Sequence, residues 1–85
     1  MTTNIYELDG QQLHDRSAAH AYLQETLGFP DWYGRNLDAL SDMLTAFGAP
    51  TMIFLTDADA IDPAIAKVFA DAMEENPQLT VVFEE

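Results

Sequence analysis

The chain has 85 residues, 48% of them apolar, which suits one compact domain over residues 1–85 with a modest core and leaves no room for a second. Fifteen acidic against three basic residues give a formal net charge of -12 and a pI near 4.1. That balance excludes a binder of the nucleic-acid backbone, which needs a basic stripe to release counterions, and it makes anionic membranes poor partners. With no cysteine, a disulfide framework, a thiolate metal site and a thiol nucleophile are excluded as well.

Met1-Thr2-Thr3-Asn4 has no basic region followed by an apolar stretch, and no segment approaches the length needed to cross a bilayer. These features predict a cytoplasmic, soluble protein. The charge favours fast, salt-sensitive encounter with a cationic protein, and solubility alone is the plainer explanation of it.

In chain order, Ile5 to Leu8 reads as a first strand. Ser17 is placed to N-cap a helix carrying Ala19, Tyr22, Leu23 and Leu27 on one side, and Gly28 before Phe29-Pro30 ends it. The aromatic segment Phe29-Pro30-Asp31-Trp32-Tyr33-Gly34 leads into a second helix over Asn36 to Phe47, with Leu37, Leu40, Leu44 and Phe47 inward and Gly48-Ala49-Pro50 as its stop. Thr51 to Leu55 is a second strand. Asp62 precedes Pro63 as the N-cap of a third helix, whose buried stripe is Ile65, Phe69, Ala72 and Met73 and whose end is Asn76-Pro77. Leu79 to Phe83 is the last strand.

The last two strand runs show little alternation, which predicts strands covered on both faces. Each crossover contains a helix, so right-handed parallel connections follow. The predicted fold class is α/β, a three-stranded parallel sheet packed by about three helices.

On the second helix, Arg35, Asp38, Asp42 and Thr45 cluster opposite the leucines, with Ser41 at the border. Asp38 and Asp42 lie one turn apart, where like charges repel by roughly 0.2 to 0.5 kcal/mol, so folding alone gives no reason for the pair. An ordinary solvated face is the usual meaning of such a pattern. Here the preceding loop holds Trp32 and Tyr33 outside any periodic core stripe, and Trp and Tyr are enriched at binding hot spots. Trp32 is expected to point outward and Tyr33 to be at least partly buried. Together these features predict a docking surface for a basic partner.

The run Trp32-Tyr33-Gly34-Arg35-Asn36-Leu37-Asp38-Ala39-Leu40-Ser41-Asp42-Met43-Leu44 resembles the central segment of the barstar family of ribonuclease inhibitors. The likeness is specific in Tyr-Gly-x-Asn-Leu-Asp-Ala-Leu-x-Asp and looser over nearly the whole chain, through Val68-Phe69 and Leu79-Thr80-Val81-Val82-Phe83. It implies a three-stranded parallel sheet packed by helices. It also implies inhibition by plugging the cleft of a small basic extracellular-type ribonuclease or ribonuclease toxin, one to one, by a protein that is a monomer when free. By this resemblance Asp42 points into the enzyme's phosphate site and Asp38 makes a second acidic contact. Trp32 matches a family tyrosine that stacks on the enzyme, Gly34 and Asn36 match further contact positions, and Asp71 falls near the rim.

Several positions depart from the family's archetype. Arg35 stands where it has an acid, Ser41 replaces a tryptophan, Ala46-Phe47 replaces Gly-Trp, and Asp71 is one methylene shorter than the usual glutamate. Thr56 to Ile61 is too short for the additional short helix of the archetype. These departures leave the acidic plug and alter its rim, on which specificity depends.

Other classes fare worse. Asp57-Ala58-Asp59-Ala60-Ile61-Asp62 lacks the glycine and the terminal glutamate of an EF-hand loop, since Val68 stands at the twelfth position. Asp57 and Asp59 then read as a solvated loop, and no metal or cofactor is expected. An enzyme using Asp38 and Asp42 with His14 or His20 would need a concave site, and no glycine-rich phosphate loop, serine elbow or zinc spacing occurs. The alternative to ribonuclease inhibition is an acidic interaction module or immunity protein for a cationic protein that is not a ribonuclease.

Overall fold

Three parallel strands, β1 (Asn4–Asp9), β2 (Thr51–Thr56) and β3 (Leu79–Phe83), form one sheet in the order β1-β2-β3. The computed structural model describes residues 3–85; Met1 and Thr2, on which the N-terminal reading partly rests, lie outside them. Between the strands run α1 (Arg16–Leu27), α2 (Leu37–Thr45) and α3 (Pro63–Glu75). The predicted α/β order of strand, helix, helix, strand, helix, strand is the observed one. Two single 3-10 turns were not anticipated, Gly10–Leu13 after β1 and Ala58–Ala60 after β2. The second of these occupies the segment judged too short for an extra helix. The first depends on Gly10, where a Cβ would run into the carbonyl oxygens of Thr56 and Asp57.

Apolar side chains of all three helices converge on one face of the sheet. Leu23 of α1, Leu40 and Leu44 of α2, and Ile65 and Phe69 of α3 meet Leu8, Ile53 and Leu55, all fully buried. Burial of each such side chain contributes about 1.5 to 3 kcal/mol. The opposite face corrects the expectation of double cover. In register, Met52 lies between Ile5 and Thr80, and Phe54 between Glu7 and Val82. Ile5 is 65% exposed and Met52, Phe54 and Val82 are half-buried. An unbroken apolar run thus reflected apolar residues on an uncovered face, where neighbouring strands alone shield them.

The helix ends show which local signals prevailed. Asp15, not Ser17, caps α1, its carboxylate accepting from Ala18 N at 3.0 Å, so the helix begins two residues earlier. Gly28, at φ 71, closes α1 in the left-handed conformation that glycine adopts freely. On α2 the helical conformation stops at Thr45, and Phe47 packs on the core from beyond it. Asp62 has the N-cap position of α3 but makes no cap bond; its carboxylate accepts from Arg16 Nε at 2.8 Å instead. Met73, assigned to the buried stripe, is half-buried, and its sulfur accepts from Val81 N at 3.2 Å. Buried Asn76 ends α3 and donates to Leu44 O and Phe47 O at 3.0 and 3.1 Å, which fixes the far end of α2.

Candidate partner-binding surface

The turn before α2 is built around one inward tyrosine. Gln24 Nε2 donates to Pro30 O at 2.8 Å, and Tyr33 N donates to the same carbonyl at 3.0 Å, which curls the chain back on α1. Tyr33 is 4% exposed, packs on Phe29 with ring centroids 4.9 Å apart, and its hydroxyl lies 2.7 Å from His20 Nδ1. Burial pushes the Tyr33 hydroxyl up to about 12, with Arg35 acting weakly the other way. Burial first, and then the charges of Arg16 and Arg35, hold His20 below its usual range. The contact is therefore a hydrogen bond between uncharged groups at neutral pH.

Inward Tyr33 leaves its neighbour no core to enter, and Trp32 is 76% exposed. Arg35 follows in the left-handed region, φ 53, and both its Nε and Nη2 donate to Gln24 Oε1, at 3.0 and 2.7 Å. Asn36 then caps α2, its side-chain oxygen accepting from Ala39 N at 2.7 Å and its amide donating to Gly34 O at 3.3 Å. A Cβ on Gly34 would approach that amide to 3.2 Å, so the glycine leaves the cap room. The start of the helix and the aromatic turn are thus one hydrogen-bonded unit.

The two aspartates of α2 are not equivalent. Asp38 lies in the first turn, where a carboxylate is favoured by the positive end of the helix dipole. Asp42 is exposed in mid-helix, and its carboxylate has no hydrogen bond or ion pair among the described residues. Ser41 and Thr45 beside it are half-buried, and the Thr45 hydroxyl donates to Ser41 O at 2.8 Å. Asp71 is on α3, exposed, and accepts from Lys67 Nζ at 2.7 Å. Of the predicted positions, Trp32, Gly34, Arg35, Asn36, Asp38 and Asp42 are exposed along the turn and α2 with Ser41 and Thr45 half-buried, Tyr33 is turned into the core and offers a partner no contact surface, and Asp71 belongs to a separate helix with its own counter-charge.

An open cleft of about 560 Å³ runs beside this surface, between α1 and the start of α2, and is lined by Arg16, Ser17, His20, Arg35, Asn36, Leu37 and Asp38. Sequence reasoning missed the α1 contribution. Arg16 and His20 carry no motif, and only the packing of α1 against the turn brings them to Asp38. His14, the other histidine considered for catalysis, is exposed, its Nδ1 3.2 Å from Ala60 O. Asp57 and Asp59 are exposed, and no three acidic or histidine side chains among the described residues are grouped to hold a metal.

Comparison with known proteins adds two findings. The family model described as Barstar (barnase inhibitor) matches residues 3–84. Over 40 residues the chain is 48% identical to "Putative ribonuclease inhibitor YrdF" of Bacillus subtilis (strain 168), a stretch covering 47% of this chain and 44% of that protein. The chain therefore matches less than half the length of this relative. With a family match running through nearly every described residue, the chain belongs to the barstar family.

Proposed function

We propose that this protein inhibits a small basic ribonuclease or ribonuclease toxin, one to one, by seating α2 and the aromatic turn in its active site. The observation that carries the reading is Asp42, an exposed mid-helix carboxylate with no hydrogen bond or ion pair among the described residues. A carboxylate accepts bidentate bonds from arginine and single bonds from lysine or protonated histidine. Those are the groups with which a ribonuclease binds phosphate and stabilises developing charge. Asp42 occupies the phosphate position, and Asp38 adds a second acidic contact beside it. Trp32 stacks on the enzyme surface, Gly34 and Asn36 bring backbone and amide close to it, and Ser41 and Thr45 continue the contact along the helix. Arg35 and Asp71 lie at the rim, and Tyr33 holds the turn from within. The name of the Bacillus subtilis relative supports the same class of activity.

The test is RNA cleavage by a panel of small basic microbial ribonucleases with the wild-type protein at equimolar and excess amounts, beside Asp42→Ala. Stoichiometric inhibition that disappears in the variant is the expected result. No inhibition by the wild type across the panel shifts the assignment to an acidic module for a cationic protein of another kind.

A further inference from the structure

The cleft between α1 and α2 concentrates cationic groups in a chain that has few. Two of its three basic side chains, Arg16 and Arg35, line it. Arg16 is already matched by Asp62 at 2.8 Å. Arg35 has no ion pair among the described residues; its two bonds go to the uncharged Gln24 oxygen, which fixes the guanidinium and leaves its charge unanswered. His20 adds a second, independent observation. It is 3% exposed, and Nδ1 is engaged by Tyr33. Its Nε2 has no partner among the described residues, although no polar side-chain atom sealed from solvent lacks one, so Nε2 opens on the cleft that His20 lines. The Asp38 carboxylate is also on the wall and repels any anion, a doubly charged phosphate about twice as strongly as a group carrying one negative charge.

We propose that this cleft receives the carboxylate of an aspartate or glutamate side chain on the bound partner, with Arg35 as its ion pair and His20 and Ser17 as polar neighbours. The inference rests on the reading of α2 and its turn as a docking surface, because that surface brings the partner to the mouth of the cleft. It adds a selection rule. The cognate enzyme is basic at its active site and carries an acidic side chain beside it, so Arg35 rejects equally basic enzymes that lack one.

The first test needs no partner. Sodium acetate is titrated into the free protein, with sodium chloride at matched ionic strength as control, while nuclear magnetic resonance follows the Arg35 Nε–H and His20 ring signals. Saturable shifts with acetate, not reproduced by chloride and absent in Arg35→Gln, are expected. Equal shifts with both salts, or an acetate response that survives in Arg35→Gln, overturn the proposal. The second test uses any ribonuclease that the wild type inhibits. General electrostatics predicts that Arg35→Glu, by making the inhibitor more acidic, binds a basic enzyme more tightly. The proposal predicts the opposite, an inhibition constant raised about tenfold or more, as expected when a desolvated ion pair is reversed. Unchanged or tighter inhibition overturns it. Asp42→Ala separates the two readings: it loses inhibition and keeps the acetate response, so either property can fail without the other.

Discussion

Asp62 and Asp71 at α3 and the two aspartates of α2 meet opposite fates. At α3, Asp62 takes Arg16 at 2.8 Å and Asp71 takes Lys67 one turn away at 2.7 Å, while Glu74 and Glu75 at its end have no ion pair among the described residues. On α2, Asp38 has the helix dipole and neither its carboxylate nor that of Asp42 has an ion pair among the described residues, although the same chain places Arg35 just before the helix and ties it to Gln24. With three basic residues in all, the fold matches two of them to acids beside or on α3 and leaves α2 bare. A carboxylate that finds its counter-charge at home has less to gain from a partner. One that does not gains the full charge-assisted bond when a cation arrives.

The sharpest test of that contrast is Asp42→Ala against Asp71→Ala in the same inhibition assay. Asp42→Ala is expected to weaken binding by about 3 kcal/mol or more, chiefly through faster dissociation, while the melting temperature stays where it was. Central hot spots carry losses of that size, and the archetype of the barstar family is a measured case. A loss below about 1 kcal/mol counts against the plug. Equal losses at Asp42 and Asp71 show diffuse charge attraction instead of a site.

Next in size is the support beneath the turn. Tyr33→Phe removes the hydroxyl from His20 Nδ1 and leaves a buried nitrogen unanswered, which costs about 1 to 3 kcal/mol of stability in denaturant unfolding. The pH profile of the wild type checks the same contact. Folding raises the Tyr33 pKa from 10.0 to about 12, so its contribution is complete below pH 10 and is lost as the pH rises from there towards 12. Tyr33→Phe abolishes that alkaline loss. The His20 pKa is lowered on folding, so its contribution is complete above the ordinary value of 6.5 and falls as the pH drops below it. A wild-type curve flat from pH 10 to 12 breaks the account of Tyr33.

Asn36→Ala removes the cap of α2 and costs about 1 kcal/mol, measured by thermal unfolding. It also loosens the link to Gly34, so inhibition weakens even though Asp42 is intact. The smallest effect is expected at Lys67→Ala, which breaks an exposed pair and leaves both melting temperature and inhibition within error of the wild type. A clear loss of inhibition there places α3 within the interface and removes the contrast between the helices.

Much of this molecule was legible locally. Leu40 and Leu44 recur at helical spacing, Gly28 can take a positive φ at a helix end, and Asn36 stands immediately before an apolar-periodic run. Each signal acts within a turn or two of chain, so the sequence alone determined the α/β element order and the acidic face of α2. The specific part of the family resemblance lay in one contiguous stretch, Trp32 to Leu44, and its looser part ran over nearly the whole chain. Capping was less legible, because Asp15 and Ser17 both offer a side-chain oxygen and the helix starts at whichever reaches a free amide first.

Tertiary structure decided the rest. Asp62 reads as a helix cap until Arg16, 46 residues away, is packed against it, and a charge-assisted bond takes the carboxylate from the backbone. The apolar runs of β2 and β3 do not say which faces of a sheet are covered; that follows from where three amphipathic helices settle, and they settle on one side. The cleft behind Asp38 exists only because α1 lies against the aromatic turn and brings Arg16 and His20 beside Arg35. Helix and strand patterns are set by neighbours in the chain, whereas a site assembled across elements depends on packing among residues far apart in sequence, which no local pattern encodes.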